Sequence, residues 1–239
     1  MKKGLVSVTF RSLSCGDIVK LCKKADLEYI EWGGDIHIPS GDIKKAAEVK
    51  RLCAENGLVP LGYGSYYNAA DGTDGFYAPL DTALALGAEY IRIWAGKSRE
   101  YSEAAEENIK KAVAAANERG IAVTLECHRK TMTEDAELAV KLARECGCLL
   151  HFQPNPDIPF EKNLHALEIS KPYLCAVHTF AWEQGGALRL PLSAHRDMWR
   201  QYVKTAPDAP YLLEFVEDDK PENLIRDAGT VDELLNEYK

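Results

Sequence analysis

Three stretches of this chain end on side chains that bind cations or carry protons. Ile121 to His128 reads IAVTLECH, a run of Ile, Val, Thr and Leu that stops abruptly at Glu126, Cys127 and His128. Tyr173 to His178 (YLCAVH) closes on His178, and Tyr211 to Phe215 (YLLEF) carries Glu214 near its end. Unbroken apolar runs rich in β-branched residues are the pattern of strands buried on both faces, as parallel strands are. Such strands have no packing reason to finish on a carboxylate or an imidazole. Two glutamates and a histidine brought to one rim would crowd charge that is costly to desolvate unless a cation or a proton is shared. That joint occurrence, rather than any one residue, points to a shared functional site.

The elements that must position these residues follow a regular order. Strands are expected at Gly4–Phe10, Leu27–Trp32, Leu58–Tyr63, Tyr90–Trp94, Ile121–Glu126, Leu149–Gln153, Tyr173–His178 and Tyr211–Phe215. Between and after them the spacing predicts helices near 16–25, 43–56, 76–86, 102–119, 134–145, 164–170, 196–205 and 221–238, several ending at a glycine and the last opening on Pro221. Two connections stand out as loops: Gly62 to Gly75, long enough to close over a ligand, and the glycine-rich Glu183 to Arg189. Eight strand–helix units without a linker or composition break, over 239 residues, match a single α/β domain spanning 1–239, a (β/α)8 TIM barrel. A doubly wound open sheet is the alternative, but VTFRSLSCG after the first strand lacks its glycine fingerprint.

In a barrel, alternate strand residues point inward and chemistry sits at the carboxyl ends of the strands. Parity places Thr124 and Glu126, Arg92 and Trp94, His151 and Gln153, His178 and Glu214 toward the axis, with Glu31 preferred over Trp32 on the second strand. Expected substrate contacts are Glu31, Arg92, Trp94 and His151, with His37, His128 and Arg189 reaching in from loops. Trp32, Trp94, Tyr66 and Tyr67 are of a kind to wall a sugar-sized pocket. His165 and His195 fall on helices and read as surface residues.

A net charge of −8 disfavours a phosphate backbone as partner, so no nucleic acid is expected. No apolar run approaches the roughly 18 residues of a membrane span. The opening MKKGLVSVTF passes directly into a strand-like run, which reads as mature cytoplasmic sequence. Seven scattered cysteines fit buried thiols better than a disulfide scaffold or a zinc ribbon.

The eight-unit layout, DLEYIEWGGDIH at the second strand, TLECH at the fifth, VHTF at the seventh and LLEF at the eighth together resemble the xylose isomerase-like barrels, the superfamily of sugar isomerases, epimerases and endonuclease IV. The resemblance implies a divalent metal held by a Glu after strand five, an Asp after strand six, a His on strand seven and a Glu on strand eight. Glu126, His178 and Glu214 match three of these, whereas HFQPNP offers Gln153 for the Asp and Pro156 where a second family His would stand. A Gln carbonyl can coordinate a hard cation, but it lowers ligand charge and hence affinity. Mn2+ or Mg2+ is expected over Zn2+ at Glu126, Gln153, His178 and Glu214. The implied activity is metal-assisted isomerisation or epimerisation of a sugar, sugar phosphate or inosose through an ene-diolate, with Glu126 and Glu214 as the acid–base pair. The alternative is a noncatalytic sugar-binding barrel with a degraded metal site. The partner is in either case a small molecule, and a homo-oligomer is compatible with both. An endonuclease role would call for a three-metal His-rich cluster and a basic groove, and the sequence shows neither.

Overall fold

The computed structural model describes residues 2–238. Eight parallel strands close into one barrel: β1 (Lys3–Val6), β2 (Tyr29–Gly33), β3 (Val59–Asn68), β4 (Tyr90–Trp94), β5 (Ala122–Glu126), β6 (Leu149–Phe152), β7 (Leu174–Thr179) and β8 (Tyr211–Leu213). Neighbours in sequence are neighbours in the ring, and β1 pairs with β8 at Gly4 and Leu212 to shut it. The helices α1 (Cys15–Lys24), α2 (Ile43–Glu55), α3 (Tyr77–Leu86), α4 (Glu103–Asn117), α5 (Ala136–Cys146), α6 (Phe160–Ser170), α7 (Arg196–Thr205) and α8 (Pro221–Asn236) alternate with the strands. The (β/α)8 barrel expected from the eightfold alternation is therefore the fold.

Local chemistry starts and stops these elements where they are needed. Ser14, Asp42, Ser102 and Asp135 accept backbone N–H bonds at the first turns of α1, α2, α4 and α5. Gly87 and Gly147 end α3 and α5 in the left-handed conformation. The main core lies between strands and helices, where Trp32, Ile91, Leu125 and Leu150 pack against the helical faces. A smaller apolar plug of Val6, Leu61, Tyr90, Ala176 and Leu212 is a separate cluster drawn mainly from the strands.

Several boundaries differ from the sequence expectation for identifiable reasons. The first strand ends at Val6 rather than Phe10, where a short 3-10 turn begins: Thr9 Oγ1 donates to the local Val6 O at 2.8 Å, and Ser7 Oγ accepts from Gly33 N of β2 at 2.9 Å. The third strand runs on to Asn68, so half of the expected loop is strand. Ser65 Oγ donates to Arg92 O at 2.7 Å and Asn68 Nδ2 to Gly96 O at 3.0 Å, tying it to β4. The glycine-rich segment is a two-stranded ribbon, Trp182–Glu183 against Leu188–Arg189. The sixth helix begins at Phe160, earlier than expected, and its Asn163 pins the preceding loop through two bonds to the Asn155 backbone, at 2.7 and 3.0 Å.

Candidate metal centre and binding pocket

The β3 sequence LGYGSYY makes room for what β4 projects inward. A Cβ on Gly62 would lie 2.2 Å from the Tyr90 ring, and one on Gly64 would lie 2.6 Å from Arg92 Nη2. Into that space Arg92 brings a buried guanidinium that bridges two carboxylates. Its Nε donates to Glu31 Oε1 at 2.8 Å, and its Nη1 donates to Glu126 Oε2. Tyr90 donates its hydroxyl to the other Glu31 oxygen at 2.8 Å, and Trp94 Nε1 donates to the same Glu126 oxygen that Arg92 holds. Glu126 Oε2 is thus doubly held, while Oε1 takes no hydrogen bond from the described residues.

That free oxygen faces His178 on β7. Around His178 Nδ1 stand Gln153 Oε1 at 3.3 Å, Glu214 Oε2 at 3.4 Å and Glu126 Oε1 at 3.9 Å. Gln153 and Glu214 each follow directly on the last residue of their strand, and Glu126 is the last of its own. Four adjacent strands, β5 to β8, therefore supply one group each. On its other side His178 Nε2 is 3.7 Å from Glu31 Oε1 and has no hydrogen-bond partner.

The electrostatics separate these groups. Burial alone would lower the His178 pKa, but Glu214 and Glu31 outweigh it and raise it above the usual value. Burial pushes the Glu214 carboxyl up, and the opposing pull of His178 does not cancel this. For Glu31 burial acts in the same upward direction, yet Arg92 first, and then His178, hold it well below the carboxylate range. His151, fully buried, is driven well below the usual imidazole value by burial and then by His178, so it stays neutral.

The donor types, three oxygens and one imidazole nitrogen, suit a divalent cation. Ligands sharing an ion at about 2.0–2.2 Å lie roughly 3–3.6 Å apart; Gln153 and Glu214 fall in this range from His178 Nδ1, while Glu126, at 3.9 Å, lies outside it. Glu31 beside Nε2 matches the carboxylate that orients many metal-binding histidines through the other ring nitrogen. Among the described His, Cys, Asp and Glu side chains, the trio whose possible ligand atoms all lie within 4.8 Å of one another is a deeper one, Glu31, His151 and His178. Glu31 there already accepts from Arg92 and Tyr90, and a dication would sit against the guanidinium. The set around Nδ1 is a second candidate, open to the cavity, in which Arg92 also holds one ligand, Glu126.

Above it opens a cavity of about 170 Å³. Arg92, Trp94, Glu126, His128, Gln153 and Glu214 line it, with His178 fully buried beneath. Glu31, His37 and His151, expected as substrate contacts, are not on its wall. Glu31 and His151 have no exposed surface, and His37 is buried with Nδ1 3.0 Å from Ser7 Oγ and its ring edge-on to Trp32. Arg189 borders the cavity instead of lining it, paired with Asp219 and lying 4.7 Å over the Phe215 ring. Tyr66 belongs to the wall, whereas Trp32 and Tyr67 pack into the main core. Wall residues that the sequence reading missed are Phe180, Trp182, Phe215 and Arg129. Phe180 and Phe215 each stand within two residues of a site residue, which was the available signal. A larger depression, about 490 Å³, opens among Lys2, Glu89, Ala122, Leu149, Cys175 and Pro210 at the amino ends of the strands. It includes none of the clustered carboxylates and imidazoles, and chemistry in this fold sits at the opposite face.

A closed eight-stranded α/β barrel with carboxylates and a histidine converging at the carboxyl ends of β5 to β8 defines a class of barrel proteins. Within it, the chain belongs to the xylose isomerase-like TIM barrel family, whose model matches residues 19–202. No curated protein matches the chain by sequence. Among solved structures it is similar to a probable 3-DHS dehydratase, AsbF, involved in petrobactin synthesis in Bacillus anthracis: 16% identity, TM-score 0.79, covering 97% of this chain and 99% of that one. It is also similar to a xylose isomerase-like TIM barrel protein from Mycobacterium smegmatis in complex with magnesium, at 14% identity and TM-score 0.72, covering 99% and 97%. A third is a sugar phosphate isomerase/epimerase from Parabacteroides distasonis, at 11% identity and TM-score 0.67, covering 98% and 95%. At such identities the likeness is one of fold.

Proposed function

We propose that this protein is a divalent-metal-assisted isomerase or epimerase of a small sugar or sugar-like carbonyl compound, working by proton transfer at the carbon beside the carbonyl. The observation that carries this reading is the meeting of Glu126 Oε1, Gln153 Oε1 and Glu214 Oε2 around His178 Nδ1. A divalent ion held there, Mn2+ or Mg2+ for three oxygens and one nitrogen, would acidify the C–H next to a carbonyl. The magnesium complex of the similar Mycobacterium smegmatis protein supports this choice.

The two glutamates have different tasks. Glu214 is buried, its carboxyl has a raised proton affinity, and among the described residues no arginine or lysine pairs with it, which suits it to take the proton. Glu126, fixed through Oε2 by Arg92 and Trp94, presents Oε1 to return one. Return to the opposite face of the same carbon gives an epimer; return to the neighbouring carbon gives an isomer. Arg92, Trp94 and His128 orient hydroxyls and keep water from the reacting carbon.

The test is solvent-deuterium exchange at the substrate carbon, followed by proton NMR with Mn2+ across ketoses, ketose phosphates and inososes. Glu214→Gln and Glu126→Gln are each expected to keep sugar binding while exchange slows by about 10²- to 10⁴-fold. Product analysis belongs in the same experiment, because proton removal followed by loss of a neighbouring hydroxyl is dehydration, the activity in the name of the similar Bacillus anthracis protein. One observation favours a noncatalytic reading: Arg92 already neutralises Glu126, and Gln153 contributes no charge. Sugar binding that is indifferent to Mn2+, with no exchange on any compound, would decide for that reading.

A further inference from the structure

Resting on the functional reading above, we propose that the pocket takes an uncharged polyhydroxy carbonyl compound of about one six-carbon ring, without a phosphate or carboxylate. Three observations point to this ligand class: the walls are aromatic on opposite sides, the arginines are already committed, and the cavity is small.

Trp94, at the end of β4, stacks on His128 at 5.0 Å and lies 5.8 Å from Tyr66. On the other side Trp182 stacks on Phe180 at 4.0 Å and lies 5.6 Å from Phe215. The first group lies in β3, at the end of β4 and just after β5, and the second follows β7 and β8. In this ring β4 and β8 are diametrically placed, so the cavity lies between two aromatic banks. Faces of this kind bind the C–H surfaces of a sugar ring and leave its hydroxyls to polar groups at the base.

Of the described residues lining the cavity, Arg92 and Arg129 are the only arginines or lysines. Arg92 is divided between Glu31 and Glu126. Arg129 Nη1 donates to Asp157 Oδ2 at 2.8 Å and to Gly185 O at 3.0 Å, joining the loops after β5, β6 and β7. The two bordering arginines are paired as well, Arg189 with Asp219 and Arg11 with Asp35. A phosphate would have to share one of these guanidinium groups with its carboxylate, and it would do so beside the carboxylates of Glu126 and Glu214. The volume of about 170 Å³ lies below the roughly 300 Å³ at which drug-sized pockets begin, so a ring and an appended phosphate compete for the same space.

The experiment is a titration of the Mn2+-loaded protein by tryptophan fluorescence and calorimetry with D-fructose, scyllo-inosose, D-fructose 6-phosphate and D-gluconate. A neutral compound is expected to bind at least tenfold more tightly than fructose 6-phosphate and gluconate. Asp157→Asn releases Arg129 and is expected to narrow that gap by strengthening the phosphate ester alone. Arg129→Ala is expected not to weaken the phosphate ester further relative to the neutral ligand. Equal or tighter binding of the phosphate ester, lost in Arg129→Ala, overturns the proposal, as does binding of none of the neutral compounds. The two readings fail separately: a neutral sugar bound without deuterium exchange removes the enzyme and keeps the ligand class. Exchange on a sugar phosphate removes the ligand class and keeps the enzyme.

Discussion

Two carboxylates share the Arg92 guanidinium, and removing either partner of such a buried group leaves charge with no water to take its place. Breaking a buried pair costs about 3–5 kcal/mol, so Glu31→Gln is expected to lower the melting temperature sharply although Glu31 reaches no substrate. The same change takes the carboxylate from beside His178 Nε2, and Mn2+ affinity should fall by about 10- to 100-fold, the range for lost outer partners of metal ligands. Titration calorimetry of the folded variant reads the second effect apart from the first. Gln153→Asp is expected to act the other way and raise Mn2+ affinity at least about tenfold, because ligand charge tunes the affinity of oxygen sites. An unchanged Mn2+ isotherm in Gln153→Asp would place the ion elsewhere. Glu126, His178 and Glu214 were legible in the sequence because apolar runs end on or next to them. The depths of Glu31 and His151 were not. Parity says whether a side chain points inward, but each residue back from a strand's end lowers it by about 3.3 Å. Glu31 is two residues short of the end of β2, and Gln153 is the next inward residue above His151.

β3 shows how an element can be misjudged from composition. Glycine and tyrosine in LGYGSYYN argue for a loop, yet here Gly62 and Gly64 are strand residues whose missing side chains admit Tyr90 and Arg92. That information belongs to the pair of strands, and neither sequence carries it alone. Tyr66, with φ +58, and Phe215, with φ +47, are held in left-handed backbone where bulky residues are rarely found, and both line the cavity. Gly64→Ala would place a methyl 2.6 Å from Arg92 Nη2 and 3.1 Å from Glu31 Oε1. Overpacking of that sort typically costs about 1–3 kcal/mol. We expect Gly64→Ala to fold with a lowered denaturation midpoint and weakened Mn2+ binding, because Arg92 can yield only by releasing a carboxylate. Gly57→Ala, with a positive φ but open space around it, is the control: it should be destabilised without any change in Mn2+ affinity.

At the scale of the molecule, the ring joins the two ends of the chain. β1 is hydrogen-bonded to β2 on one side and β8 on the other, and Lys3 Nζ reaches Asp232 Oδ2 on α8 at 2.5 Å. The alternation that signals such a barrel was readable because each strand–helix unit repeats the same periodicities, and closure then follows from the number of units. No helix among the described residues is long and apolar enough to cross a membrane. A ring has no natural place to divide, so the chain is expected to unfold in one cooperative transition and to yield no stable half on limited proteolysis. The proposed metal site draws on four adjacent strands, and an ion bound there should therefore stabilise the whole ring. At a free Mn2+ concentration of 100 times its dissociation constant the gain is about 2.7 kcal/mol, which for a chain of this size raises the melting temperature by about 5–10 °C. Removal of the ion with EDTA should reverse the shift without splitting the transition. In Glu214→Ala the Mn2+-dependent rise is expected to vanish while the transition stays single. A second transition, or a full Mn2+ shift in that variant, would show that the ring does not fold as one unit or that the ion is held outside it.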